Sequence, residues 1–556
     1  MTAAALPEIS AQGRARASAL ASLELKATTP TAIVEFISRG RCLIVGPEVE
    51  ALRFAARLDG QLECYVLVPG DTAPEIDKVD GVFVVRGGRP LIQGALGDFD
   101  VTLVAGGASS KLGPMLSSNL TRFDLVVDLG AQPLLRLAMP PLGYYAPGTS
   151  ETALAELAQS LPDMRGEFEK PKYFNYNPEI CAHGRSGKRG CTRCIDVCPA
   201  QAIVSIGDQV QVNPYLCQGG GACTTACPSG AMTYAYPVVG DLLVALRQLL
   251  RDFHAAGGEA PSLLFHDESS GEALEQGLAA TMPETIMPVA IEEIGSIGMD
   301  TWMSCLAYGA EAVVLLTCDR TPPQVVEALQ EQVATARAIL AGMGLPEDRL
   351  RIVNGDQPVA AMQALSTLPS GNVRQAANFV AMGADKRGTL RLALQHLQSQ
   401  ASAASTKRIT ALSQGAPFGE VRVDAAACTL CMSCVSVCPT HALLDGRGLP
   451  QLNFREWNCV QCGLCERTCP EKAITLNARF VHDVEVREKP RTLHEEQPFC
   501  CVACGKPFAT RSLIEKMNRK LEGHWMFQSE EARRRMQMCE DCRVRDMFTA
   551  EARRSR

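Results

Sequence analysis

Four times the chain writes Cys-Pro, two variable residues, an alanine and an apolar residue: CPAQAI, CPSGAM, CPTHAL and CPEKAI. Each follows a run of closely spaced cysteines. No other feature restricts the fold as strongly. Thiolates two residues apart let one tight loop wrap three corners of a cubane iron–sulfur cluster, and the thiolate three residues further on points away to the neighbouring cluster. Proline after that thiolate fixes φ and supplies no N–H, so the chain turns away from the metal. Electron transfer is the leading expectation.

The second cysteine-rich region is complete. Cys428, Cys431, Cys434 and Cys438 form one motif, and Cys459, Cys462, Cys465 and Cys469 the other. With the usual crossover, one [4Fe-4S] cluster takes Cys428, Cys431, Cys434 and Cys469, and its twin takes Cys459, Cys462, Cys465 and Cys438. Zinc knuckles would not need the three-residue final gap or both prolines.

The first region departs from that pattern. Its first motif runs Cys181, then nine residues, then Cys191, Cys194 and Cys198. The insert, AHGRSGKRG, carries His183, Arg185, Lys188 and Arg189, and reads either as a solvated loop or as a docking and potential-tuning element. A third [4Fe-4S] cluster is expected on Cys181, Cys191, Cys194 and Cys227. The second motif has Cys217, Cys223 and Cys227, but Gly220 stands where its second cysteine belongs. Cys217, Cys223 and Cys198 leave one iron corner unclaimed by a thiolate. A [3Fe-4S] cluster, an incompletely ligated [4Fe-4S] cluster with a water or exogenous ligand, and an empty site all remain open.

Cys501-x2-Cys504 and Cys539-x2-Cys542 make a last pair of knuckles, the spacing that suits tetrahedral Zn2+ with four thiolates. Rubredoxin-like iron fits the same geometry. Cys500 is off-register, and His494 or His524 is a weaker substitute ligand.

Between these regions the pattern changes. Short apolar runs (CLIVG, CYVLVPG, GVFVVRGG, VTLVAGG, DLVVDLG), with helical periodicity in EVEALRFAARL, predict a parallel α/β domain over 41–165 behind an N-terminal arm, 1–40. No G-x-G-x-x-G occurs there, and Cys42 and Cys64 read as core thiols. A first ferredoxin-like domain occupies 172–238. A second α/β domain, 241–398, has strands near SLLFHD, EAVVLLTC and LRIVNGD, with Cys305 and Cys318 as buried thiols and no catalytic constellation. An Ala/Ser linker leads to the second ferredoxin-like domain, 421–479, an internal repeat of the first, and a zinc-knuckle domain fills 490–545. The fold class is therefore α/β and α+β multidomain: two α/β domains, two bacterial-type dicluster ferredoxin domains and the zinc knuckle.

Composition narrows the partners. No apolar run approaches the roughly 18 residues of a membrane helix, and no export signal precedes the first domain, so a cytoplasmic protein is expected. The formal charge is −7. Four cluster sites and a four-thiolate zinc would bring it to about −17, which excludes nucleic acid and favours a basic patch on a redox protein.

With these residues in place, the chain resembles bacterial multi-cluster 4Fe-4S binding proteins of the polyferredoxin type, especially those associated with formate dehydrogenase. The likeness rests on YFNYNPEICAHG, GCTRCIDVCPAQAI, ACTTACPSGA, IGSIGMDTWMSCLAYGA, CVACGKPFAT and QMCEDCRVRD, and covers most of 170–545. The middle domain is similar to the iron–sulfur δ subunit of methyl-viologen-reducing hydrogenases, whose two-iron cluster is not carried over, because only Cys305 and Cys318 lie there. Gly220 also departs from the family, which has a cysteine at that place. The resemblance implies an electron-transfer component of a dehydrogenase, possible formate dehydrogenase included, rather than a stand-alone enzyme. Two alternatives stay open: an iron–sulfur enzyme using the open corner near Gly220, and an assembly factor for a dehydrogenase.

Overall fold

Apolar runs that alternate with helices become parallel strands where both faces are covered. In the computed structural model, which describes residues 10–23, 30, 32–279, 281–369, 375–380, 385–402 and 406–554, Arg41–Val45 pairs in parallel with Glu63–Val68 and Leu125–Asp128. Val82–Arg86 and Tyr144–Tyr145 extend the sheet on either side. Arg41–Val45 and Leu125–Asp128 are buried along nearly their whole length, as strands covered on both faces are. Helix Glu48–Arg57 buries Ala51, Phe54 and Ala55 at helical spacing against it.

Two elements differ from the expected parallel array. Glu75–Val79 joins as an antiparallel edge. Asp100–Ala105, the VTLVA run, belongs instead to a separate antiparallel sheet with Arg89–Gln93 and Ala108–Lys111. Its burial alternates, with Val101 and Leu103 inside, which is the period of a strand covered on one face.

The described residues among the first forty pack against the rest of the chain. Helix Ala11–Ala21 is capped by the Ser10 hydroxyl, which accepts the Gly13 N–H. It buries Ala15 and Ala19 in the core of the middle α/β region, against helix Val239–Ala255. Ile33–Ser38 pairs antiparallel with Gly166–Pro171.

The middle region has a four-stranded parallel sheet in the order Ile286–Ala290, Ser262–His266, Ala312–Thr317, Leu350–Asn354. Helix Pro323–Met343 ends at Gly344 in the left-handed conformation, φ 75°, the usual glycine helix stop. Helix Lys386–Gln400 follows later in the chain. The core around Trp302, Leu315, Ile339 and Leu394 continues without a break into Val197, Ala222, Phe418, Trp457 and Phe480 of the cysteine-rich regions. Cys305 and Cys318 are buried.

Both cysteine-rich regions repeat one arrangement. In the first, Phe174–Tyr176 pairs with Met232–Tyr234, around a hairpin of Ile203–Ile206 with Gln209–Val212 and the short helices Arg193–Asp196 and Ala222–Ala226. In the second, Gly419–Val423 pairs with Ile474–Val481, around a hairpin of Leu443–Gly446 with Leu449–Phe454 and helices Ser433–Ser436 and Leu464–Thr468. Among the described residues, no helix is long and apolar enough to cross a membrane.

Candidate metal centres

The Cys-Pro motifs share a local geometry that explains their spelling. Three residues after each such cysteine the chain enters the left-handed region: Gln201 (φ 47°), Gly230 (φ 76°), His441 (φ 51°) and Lys472 (φ 51°). That turn aims the next amide back at the sulfur. The N–H of Ala202, Ala442 and Ala473 donates to the Sγ of Cys198, Cys438 and Cys469 at 3.3, 3.2 and 3.4 Å. At Cys227 the donor is the N–H of Met232, at 3.3 Å. The alanines are buried, where a larger side chain would meet the core.

In the second region the sulfurs gather as two groups. One cavity is lined by Cys428, Cys431, Cys434 and Cys469, with Leu430, Leu452 and Ile474 among its walls. Another is lined by Cys438, Cys459, Cys462 and Cys465. Burial pushes the Cys434 and Cys459 thiols up to about 12, with neighbouring cysteines adding. Buried thiols facing one another resist ionisation unless a cation shares the space, so these donor sets fit a metal-containing group. The Gln461 amide Nε2 donates to Cys459 Sγ at 3.2 Å.

In the first region, Cys194 is pushed up by burial and by the adjacent Cys227, Cys191 and Cys181. Cys223 is pushed up by burial and by Cys217 and Cys198, with Cys194 and Cys227 further contributors. Cys181, Cys194, Cys198, Cys217, Cys223 and Cys227 pack in one apolar cluster, and Cys191 lies near enough to feel Cys227 and Cys181. Two ammonium groups serve this region that no sequence pattern marks. Lys170 Nζ donates to the carbonyls of Tyr215 and Cys217 at 3.0 and 2.8 Å; burial lowers it to about 8, against the favourable charge of Cys217. Lys386 Nζ donates to the carbonyls of Thr224, Thr225 and Cys227 at 2.8, 2.7 and 3.1 Å.

The nine-residue insert is a docking element within the chain. Gly184–Arg185 and Lys188–Arg189 form a small hairpin. Buried His183 donates from Nδ1 to the Cys191 carbonyl at 2.8 Å, and its Nε2 lies 2.8 Å from Ser205 Oγ. Arg467 of the second region donates to the carbonyls of Arg189 and Gly190. A Cβ on Gly190 would come within 2.8 Å of the Leu464 side chain. The two regions therefore meet at the loop leading into Cys191. Cys462, pushed up to about 11 chiefly by burial, also feels Cys438 and, across this junction, Cys191.

The last quartet converges most tightly. The Sγ atoms of Cys501, Cys504, Cys539 and Cys542 all lie within 4.8 Å of one another. Cys504 and Cys539 sulfurs are 3.7 Å apart, close to the edge of about 3.8 Å of a tetrahedron with metal–sulfur bonds of about 2.3 Å. Burial pushes the Cys501 thiol up, but N–H groups of Cys539, Ala503 and Cys504 outweigh it and bring it to about 6. Cys500 is exposed, and His494 and His524 engage Glu496 and the Met526 N–H instead. Thr510 Oγ1 donates to the Thr429 carbonyl at 3.1 Å, so this unit leans on the loop carrying Cys428 and Cys431.

Residues 427–474 match the 4Fe-4S dicluster domain family. The chain is thus a multidomain protein with a ferredoxin-type iron–sulfur domain. Over 50 residues it is 42% identical to Ferredoxin-1 of Caulobacter vibrioides, 9% of this chain and 42% of that ferredoxin. The chain covers less than half the length of the curated relative it matches.

Proposed function

We propose that the protein is a cytoplasmic electron relay with four iron–sulfur clusters in a row and a zinc ion closing its C-terminal unit. Cys198, Cys217 and Cys223 hold the first cluster. Cys181, Cys191, Cys194 and Cys227 hold the second, Cys438, Cys459, Cys462 and Cys465 the third, and Cys428, Cys431, Cys434 and Cys469 the fourth. Cys501, Cys504, Cys539 and Cys542 hold the zinc. The clusters supply one-electron chemistry. The chain's own residues supply the N–H donors at the sulfurs, the cations Lys170 and Lys386, and walls that exclude water. The α/β regions brace the row, and a dehydrogenase, with formate dehydrogenase the leading candidate, is the redox partner.

The observation that carries this reading is the junction at Cys191 and Cys462, where the hairpin insert brings the two dicluster units into contact. A zinc-clipped scaffold has no use for such an approach. Anoxic material should contain about fifteen or sixteen irons and one zinc per chain, and fully reduced protein should show spin–spin coupling between clusters. Arg467→Ala, which removes the bonds to the Arg189 and Gly190 carbonyls, should keep the iron and weaken the coupling between the units. Colourless protein without acid-labile sulfide would reject the relay. A variant that exchanges electrons between units as fast as wild type would reject the role of the junction. Reduction by formate dehydrogenase and formate, compared with formate alone, tests the partner.

A further inference from the structure

The three-glycine stretch Gly219–Gly220–Gly221 faces different constraints at each position. Gly219 has φ 83° and packs under the Tyr173 ring, which would lie 3.0 Å from a Cβ there; the Tyr234 hydroxyl donates to the Gly219 carbonyl at 2.7 Å. Gly221 has φ 69° and presses against the backbone of Ser296. Both are glycine by conformation and crowding. Gly220 is not in the left-handed region, so its backbone would accept a cysteine. The equivalent stretch of the second dicluster unit is Gln461–Cys462–Gly463, again with left-handed flanks, φ 53° and 81°. What stands beside Gly220 instead is another sulfur. Met139 Sδ lies 2.9 Å from where a Cβ on Gly220 would be, and Pro199 Cγ lies 3.5 Å from it.

Met139 comes from a different part of the fold, the loop between strands Leu125–Asp128 and Tyr144–Tyr145 of the N-terminal sheet. Its position is fixed at the backbone: the Met139 N–H donates to the carbonyl of Pro199, the residue after Cys198, at 3.3 Å. The separate two-stranded sheet of Ile33–Ser38 and Gly166–Pro171 meets the same region, through Phe36, which packs edge-on against Tyr215 at 5.6 Å, and through Lys170 on the Cys217 carbonyl. The thioether is therefore delivered beside Cys198, next to the backbone that carries Cys217 and Cys223.

We propose that Met139 Sδ is the fourth protein ligand of the cluster held by Cys198, Cys217 and Cys223. A thioether is a soft donor suited to iron–sulfur chemistry. It is neutral, so the site carries one negative charge fewer than a four-thiolate cubane, and its potential is the highest of the four on that account. The corner is then closed to small molecules, which removes the premise of a substrate-binding iron there.

The inference rests on the reading that those three cysteines hold a cluster, and the experiment separates the two. The full chain is reconstituted without oxygen and compared with Met139→Leu, which keeps the volume and loses the sulfur. Iron, sulfide and oxidised-state EPR are measured on both. Wild type should contain about sixteen irons, with no three-iron signal. Met139→Leu should lose one iron and gain the oxidised three-iron signal. Adding Gly220→Cys to Met139→Ala, which clears the space beside position 220, should restore the iron and abolish the signal. A Leu variant identical to wild type in iron, EPR and potential overturns the ligand, as does a three-iron cluster in wild type. About twelve irons in wild type, with no fourth cluster, overturns the underlying reading as well.

Discussion

A thiolate's redox behaviour depends on what donates to it, and each Cys-Pro sulfur here receives an amide N–H through a left-handed turn. Gln461 adds a side-chain donor at Cys459. Hydrogen bonds to charged groups contribute about 1.5–3 kcal/mol, and they favour the more negative, reduced cluster. Gln461→Leu should lower that cluster's potential by roughly tens of millivolts, read by EPR-monitored redox titration; a rise would contradict the donor role. A second residue-scale expectation concerns acid. His482 is buried against Thr410 at 2.8 Å, and burial, with Arg487 and Lys407 adding, holds it at about 4 instead of 6.5. The unfolded chain binds the proton that the folded one refuses. Stability from neutral His482 is therefore complete above about 6.5 and is lost as pH falls through about 4. Thermal unfolding of His482→Phe should show a flatter slope across that window than wild type, and equal slopes would dismiss it.

At the scale of elements, the second dicluster unit is held by a buried carboxylate. Glu456 accepts from Arg479 Nε and Nη2, each at 2.9 Å, and from Arg491 Nη1 at 2.6 Å. These bonds join the 3-10 turn Glu456–Asn458 to strands Ile474–Val481 and Arg491–Glu495. Removing one partner of a buried ion pair costs about 3–5 kcal/mol. Arg491 keeps part of its solvent, so Glu456→Gln should cost about 3 kcal/mol in chemical unfolding. Arg387 and Arg487 stack on Trp457 at 4.9 and 5.2 Å, tying helix Lys386–Gln400 to the same turn.

For the whole molecule, the C-terminal unit packs against the loop that carries Cys428 and Cys431. Its contact with the Thr429 carbonyl, and the ion pair of Lys516 with Glu471, place it over the Cys428 group. Cys539→Ser should remove the zinc, leave the iron count unchanged and expose residues 490–545 to protease. Oxygen should then bleach the adjacent cluster faster than the others. Protease resistance equal to wild type, with zinc absent, would show that the metal does not hold this unit together.

The sequence by itself determined the dicluster domain over 427–474, most of the parallel strands and the convergence of the last Cys-x2-Cys knuckles, because each is encoded by spacing within a few tens of residues. The helix Glu48–Arg57 was legible for the same reason. The antiparallel assignment of Asp100–Ala105 was not, since a short apolar run leaves its neighbours unspecified. Gly220 stands out as a gap in the cysteine spacing, but nothing near it announced the approach of Met139, 81 positions earlier in the chain. Lys170 and Lys386 were equally invisible, and docking was only one of two open readings of the 182–190 insert. Spacing along the chain sets what one loop can wrap; only the packing of separate units decides which distant side chains come to lie beside it.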